Sequence, residues 1–191
     1  MMVGSRMSLH RVALLVIGTL AVLSQASPGA PADEPGGYGF GRPATDEEIR
    51  AWNIDIAPTG EGLPPGEGTA KRGAQIYAAK CAACHGPTGK EGPKDRLVGG
   101  QGTLNTPKPI KTIGSYWPYA TTLYDYIDRA MPFNAPQSLT PDEIYSVTAW
   151  LLFQNGIIPE DAVIDARTLP LVRMPNRDGF IPDPRPDVST R

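Results

Sequence analysis

Cys81-Ala82-Ala83-Cys84-His85 decides how the rest of the chain is read. Two thiols stand three positions apart, just after a predicted helix, and an imidazole follows at once. Thiols at that spacing can both reach the vinyl groups of one porphyrin, and the histidine then falls beneath the iron. The pattern points to a single covalent haem c held by Cys81 and Cys84, with His85 as the proximal iron ligand. A structural zinc site takes four nitrogen or sulfur ligands. The whole chain has two Cys and two His, and His10 lies in a segment expected to be removed. A thioredoxin-like thiol pair needs a βαβ setting, which no pattern around Cys81 supplies. A small disulfide, or two buried thiols beside an incidental histidine, is the bland alternative.

A length of 191 residues accommodates one domain with long arms. Residues 1–26 read as a secretory signal. Arg6 and Arg11 make a basic start, Val12 to Leu23 is an apolar run too short to cross a bilayer comfortably, and Ser24-Gln25-Ala26 ends in small residues. A retained N-terminal anchor is the alternative. Cleavage near Ala26 leaves a mature form with no membrane span and predicts a periplasmic protein, outside the cytoplasm, where c-type haem is attached. The chain has 18 basic and 20 acidic residues. The leader contains two of the basic ones and no acid, leaving 16 against 20, a formal charge of −4. That balance argues against nucleic acid as a partner, which calls for basic stripes. It permits docking to a basic patch.

Three zones follow the leader. Residues 27–68 hold seven Pro and nine Gly, which marks a mostly irregular N-terminal arm. Thr45-Asp46-Glu47-Glu48 is a capping box that starts one short helix there, with Ile49 and Trp52 following. Residues 69–155 form the compact zone. Helices are predicted from about Ala70 to Lys80, with Ala70, Gly73 and Tyr77 on one face, and from about Ala120 to Ala130, stopped by Pro132. Thr140-Pro141-Asp142-Glu143 is a second capping box and opens the clearest helix. Ile144, Val147 and Leu151 make its stripe, with Trp150 and Leu152 beside it, and Gly156 ends it. The Gly-rich stretch between His85 and Ala120 reads as loop. A domain this small with so little sheet has a poor core by itself, and a flat cofactor supplies the missing interior. Residues 156–191 hold six Pro with apolar anchors between them, among them Ile164, Leu169, Met174 and Phe180. They read as an extended arm lying on a surface, either this domain's own or a partner's.

Iron held by His85 needs a ligand on its other face or an open site. Loss of the leader removes Met1, Met2 and Met7, so Met131 and Met174 remain, and no second His is left. Met131 follows a helix and precedes Pro132, which fixes the backbone there. It is the expected sixth ligand, with Met174 second and plain core packing as the bland reading of Met131.

Gly73, Tyr77, Cys81 to His85, Leu97, Met131 and Trp150 together resemble class I c-type cytochromes over about residues 69–155. The resemblance implies an all-α fold, three main helices around one haem, here with long irregular arms. It also implies that Gly73 crosses against Trp150. A narrower likeness lies in Gly41 to Thr45, in Gly114 to Thr122 and in Met174 to Phe180. These segments look like the cytochrome subunits that accompany sulfite-oxidase-type molybdenum enzymes, the Sox-type sulfane and sulfite dehydrogenases. The best-known of those subunits carry two haem motifs, whereas this chain has one. The resemblance implies that a separate molybdenum subunit oxidises a sulfur compound and this chain collects the electrons. A downstream cytochrome c or oxidase would take them on. It also implies that Leu97, Ser115, Tyr116 and Trp117 lie around the haem and its propionates. Two other functions fit the same ligands. One is an independent periplasmic shuttle to a terminal oxidase, whose arms fold back on its own domain. The other is a haem enzyme or gas sensor in which Met131 leaves the iron, although no spare His stands ready as a distal acid or base.

Overall fold

The computed structural model describes residues 40–183. In chain order it contains α1 (Asp46–Trp52), β1 (Glu67–Thr69), α2 (Ala70–Lys80), α3 (Ala82–His85), α4 (Ala120–Ala130), α5 (Pro141–Gln154), β2 (Val163–Asp165) and one 3-10 turn (Leu169–Leu171). The chain divides into a unit of residues 1–43 and a unit of residues 44–191, and all of these elements lie in the second. The signal expected over residues 1–26 falls outside the described residues.

Helix α5 is the hub. Thr140 Oγ1 accepts from the Glu143 N–H, and the Glu143 carboxylate accepts from the Thr140 N–H at 2.8 Å, so the expected capping box is formed. The Thr140 backbone bond holds the Glu143 carboxyl below its ordinary range. Every residue from Ile144 to Leu152 is buried. A helix covered all round needs neighbours on each side. Helix α2 packs on one side, where Tyr77 stacks on Trp150 with centroids 3.9 Å apart. Helix α4 packs on another, where Tyr124 and Tyr145 meet at 4.5 Å. The polar residue Ser146 is accommodated because its hydroxyl donates to the Asp142 carbonyl at 2.6 Å.

The α2–α5 contact is backbone against backbone. A Cβ on Gly73 would lie 1.9 Å from the Ser146 carbonyl oxygen, and one on Gly68 would lie 2.1 Å from the Ser146 nitrogen. Only glycine admits that approach.

A two-stranded antiparallel ribbon, absent from the sequence expectations, joins the ends of the domain. It pairs Glu67 with Asp165, Gly68 with Ile164 and Thr69 with Val163. Its strands are three residues long and have no alternation to read. Beyond β2, Leu169 and Met174 are buried in the same core as α5. On the other side, the Ile56 N–H donates to Asp125 Oδ1 of α4 at 3.0 Å, and Tyr145 Oη donates to the Pro64 carbonyl at 2.9 Å. Stretches that read as irregular arms are irregular in secondary structure yet pinned to the helices from Ile56 and up to Met174. Helix α1 differs. Its capping box at Thr45 is formed, but it buries no residue, and Trp52 is 87% exposed.

Gly73→Ala drives a methyl into the Ser146 carbonyl and is expected to cost about 3 kcal/mol of stability, measured by denaturant unfolding of the holoprotein. An unchanged midpoint would contradict the crossing. Asp165 gives a pH prediction. Backbone N–H bonds from Thr168 and Arg167, both 2.8 Å, hold its carboxyl down from 3.8 to about 2. A depressed carboxyl contributes stability above its unfolded pKa, and that contribution is lost as pH falls through the folded value. Asp165→Asn should therefore flatten the acid loss of stability between about pH 4 and pH 2. An acid profile identical to that of the parent protein would refute this.

Candidate haem-binding site

Helix α2 ends where the Cys81 N–H donates to the Tyr77 carbonyl at 2.9 Å. The Cys84 and His85 N–H groups then both reach the Cys81 carbonyl, at 3.1 and 3.0 Å, and Gly86 N–H reaches the Ala82 carbonyl at 2.8 Å. This single turn, α3, puts the two cysteines at i and i+3, neighbours on a helical surface. Both thiols are free; Cys81 is half-buried and Cys84 exposed. Burial pushes the Cys81 thiol up to about 11, with Lys80 opposing and Cys84 adding to the rise. A thiol held protonated by burial is a poor nucleophile, which describes Cys81.

The half-buried His85 ring is oriented by the backbone. Its Nδ1 lies 2.8 Å from the Asp95 carbonyl oxygen. A carbonyl can only accept, so Nδ1 is the donor here, and in the neutral imidazole that binds metal Nε2 is the nitrogen left for it. The loop that brings Asp95 there is tied at several points. Lys94 N–H donates to the Cys84 carbonyl at 3.0 Å, and Leu97 N–H to the Gly89 carbonyl at 2.8 Å. A Cβ on Gly92 would stand 2.1 Å from the Cys84 carbonyl oxygen. Tyr77 Oη, deeply buried, donates to the Gly86 carbonyl at 3.0 Å, and burial pushes its phenol far above the ordinary range.

The other expected residues sit as follows. Met131 caps α4, its N–H donating to the Ile127 carbonyl at 3.0 Å, and its side chain is half-buried. Leu97 and Trp117 are also half-buried and, like Met131, Cys81 and Ala82, pack against the buried core. Trp117 meets Tyr126 edge-on at 5.7 Å. Ser115 is committed to its own loop: its hydroxyl donates to the Ile110 carbonyl at 2.6 Å and accepts from the Thr112 N–H at 2.8 Å. The Tyr116 carbonyl accepts from Asn176 Nδ2 at 2.7 Å, and its ring meets Phe180 edge-on at 5.2 Å. Thus the segment around Tyr116 and the segment Met174 to Phe180, far apart in sequence, are in contact. Met174 is 1% exposed within the core.

These features fit a haem. Two unpaired thiols, an imidazole oriented by a backbone carbonyl, and partly buried apolar side chains packed against the core are the residue types that would hold such a group. Among the described residues, Thr148 Oγ1 on α5 is a buried hydroxyl oxygen without a hydrogen-bond partner. Asp95, Asn155 and Asn176 escaped the sequence reading: the first acts through its carbonyl, and the amides have no motif around them.

The family described as cytochrome c oxidase, cbb3-type, subunit III matches residues 68–151. The crystal structure of the sulfane dehydrogenase SoxCD from Paracoccus pantotrophus contains a chain that is 45% identical. It aligns with a TM-score of 0.72 over 78% of this chain and 74% of that chain. No curated protein matches. The fold is that of a class I c-type cytochrome. The chain belongs to the c-type cytochrome family represented in that sulfane dehydrogenase, and it is an electron-transfer protein with covalent haem c.

Proposed function

We propose that this cytochrome is the electron-accepting subunit of a periplasmic dehydrogenase whose molybdenum-containing, sulfite-oxidase-family subunit oxidises a sulfur compound. Catalysis belongs to that separate subunit. The observation that carries this reading is the 45% identity to a SoxCD chain over 78% of this one. Exposed Trp52 and Ile49 on α1 support it, since they give the protein apolar surface that a freely diffusing carrier does not need. No helix among the described residues is long and apolar enough to cross a membrane.

In this reading Cys81 and Cys84 would hold the haem through thioethers, and His85 Nε2 and the Met131 sulfur would hold its iron. Bound haem supplies reversible one-electron exchange between ferric and ferrous iron. The Asp95 carbonyl keeps the His85 ring in one tautomer and one orientation. The Met131 thioether, a soft donor, favours the reduced state. Leu97 and Trp117 keep water away. Met131→Ala should lose the sulfur-to-iron charge-transfer absorption near 700 nm, an order-of-magnitude expectation for His/Met ligation, and lower the midpoint potential. An unchanged spectrum would move the ligand elsewhere, with Met174 next.

A second reading is an independent soluble shuttle to a terminal oxidase. The folding of residues 156–174 onto the chain's own core favours it. Gentle lysis of the native host followed by size separation decides between the two. Co-elution with molybdenum at a mass above the monomer is the outcome expected for the dehydrogenase subunit. Recovery only as a free monomer would favour the shuttle.

A further inference from the structure

Asn155, the residue that caps the C-terminus of α5, reaches beyond its own helix. It is 8% exposed. Its Nδ2 donates to the Leu151 carbonyl at 2.8 Å, an ordinary end-of-helix contact. Its other side-chain bonds and its carbonyl bond go to one loop segment. Oδ1 accepts from the Gly99 N–H at 2.9 Å, and Nδ2 also reaches the Leu97 carbonyl at 3.2 Å. The Asn155 main-chain carbonyl accepts from Gln101 Nε2 at 2.9 Å.

Neighbouring chain closes around this knot. A Cβ on Gly114 would lie 2.2 Å from Asn155 Oδ1, and Thr112 Oγ1 donates to the Gly99 carbonyl from its own loop. Residues Leu97 to Gln101 therefore hang as a strap from the end of the best-buried helix. The strap has no secondary structure of its own; the Leu97 and Val98 N–H groups tie one side of it to the Gly89 carbonyl, and the Asn155 bonds tie the other side to α5.

We propose that Asn155 is a positioning residue: it sets how closely the Leu97–Gln101 strap covers the haem, and through Leu97 it tunes the reduction potential. This rests on the placement of Leu97 beside the haem in the proposed function. Water near a haem stabilises the extra positive charge of the oxidised form, so a strap held tight raises the potential and a loosened strap lowers it. The bond that orients His85 lies outside this effect, because the Lys94 N–H to Cys84 carbonyl bond holds that part of the loop separately.

The test is a double-mutant cycle read as midpoint potential, on holoprotein matured with haem: the parent protein, Asn155→Ala, Leu97→Ala and the double variant. Each single variant is expected to lower the potential while keeping covalent haem and the sulfur-to-iron band. The double variant should fall no further than the lower single. Fully additive shifts would show two separate effects and overturn the proposal. A lower melting temperature with unchanged potential in Asn155→Ala would mark the residue as merely structural, and would overturn it too. A silent Leu97→Ala would take that leucine off the haem and the proposal with it. Absence of covalent haem from the parent protein would instead sink the underlying haem assignment. Should Asn155→Ala fail to fold, Gln101→Ala removes only the outer tie from an exposed side chain. A smaller shift in the same direction is then expected, and no shift would count against the proposal.

Discussion

The close crossing of α2 and α5 at Gly73 and Ser146 is the contact from which the site takes its position. Helix α2 carries Cys81 at its C-terminal end, so its angle against α5 determines where the Cys81–His85 turn stands. The contact is between backbones, which leaves no side chain to repack and little freedom to slide. One turn along, the Tyr77 ring stacks on Trp150, and its hydroxyl reaches past the turn to the Gly86 carbonyl. One buried tyrosine thereby joins the helix crossing to the chain immediately after His85.

Beyond that turn the molecule is ordered without regular secondary structure. Residues 86–119 contain no helix or strand. Their backbone groups are satisfied by one another, by Thr112 and Ser115, and by Asn155. Such a loop can carry apolar side chains to a flat cofactor at angles that a helix or strand would not permit. It also makes the cofactor's surroundings depend on a few polar contacts, each replaceable by mutation without dismantling the helices.

Much of this was legible in the sequence, for identifiable reasons. Helix boundaries near Ala70, Ala130 and Thr140 follow from capping residues and from Pro132, which act locally. The attachment motif is local as well. The burial of α5 was only partly legible: Ile144, Val147 and Leu151 form the stripe expected of one buried face, whereas Tyr145, Ser146 and Thr148 are buried too. Their burial depends on the β1–β2 ribbon and on the chain before α2, both contacts between residues far apart in sequence. The resemblance implied a place near the haem for Ser115; nothing in its sequence signalled that its hydroxyl is bonded within its own loop. Asn155 had no signal at all, since an asparagine after a helix is commonplace.

Family membership and fold converge on electron transfer, and the tethered haem is the physical basis of that function. Protease digestion of the native protein followed by mass spectrometry tests it most directly, through the peptide that contains Cys81, Cys84 and His85. The account predicts that this peptide is red and heavier by one haem, with neither cysteine open to alkylation after denaturation. A colourless peptide with two alkylatable thiols, or with a Cys81–Cys84 disulfide, from cells able to attach haem would contradict it.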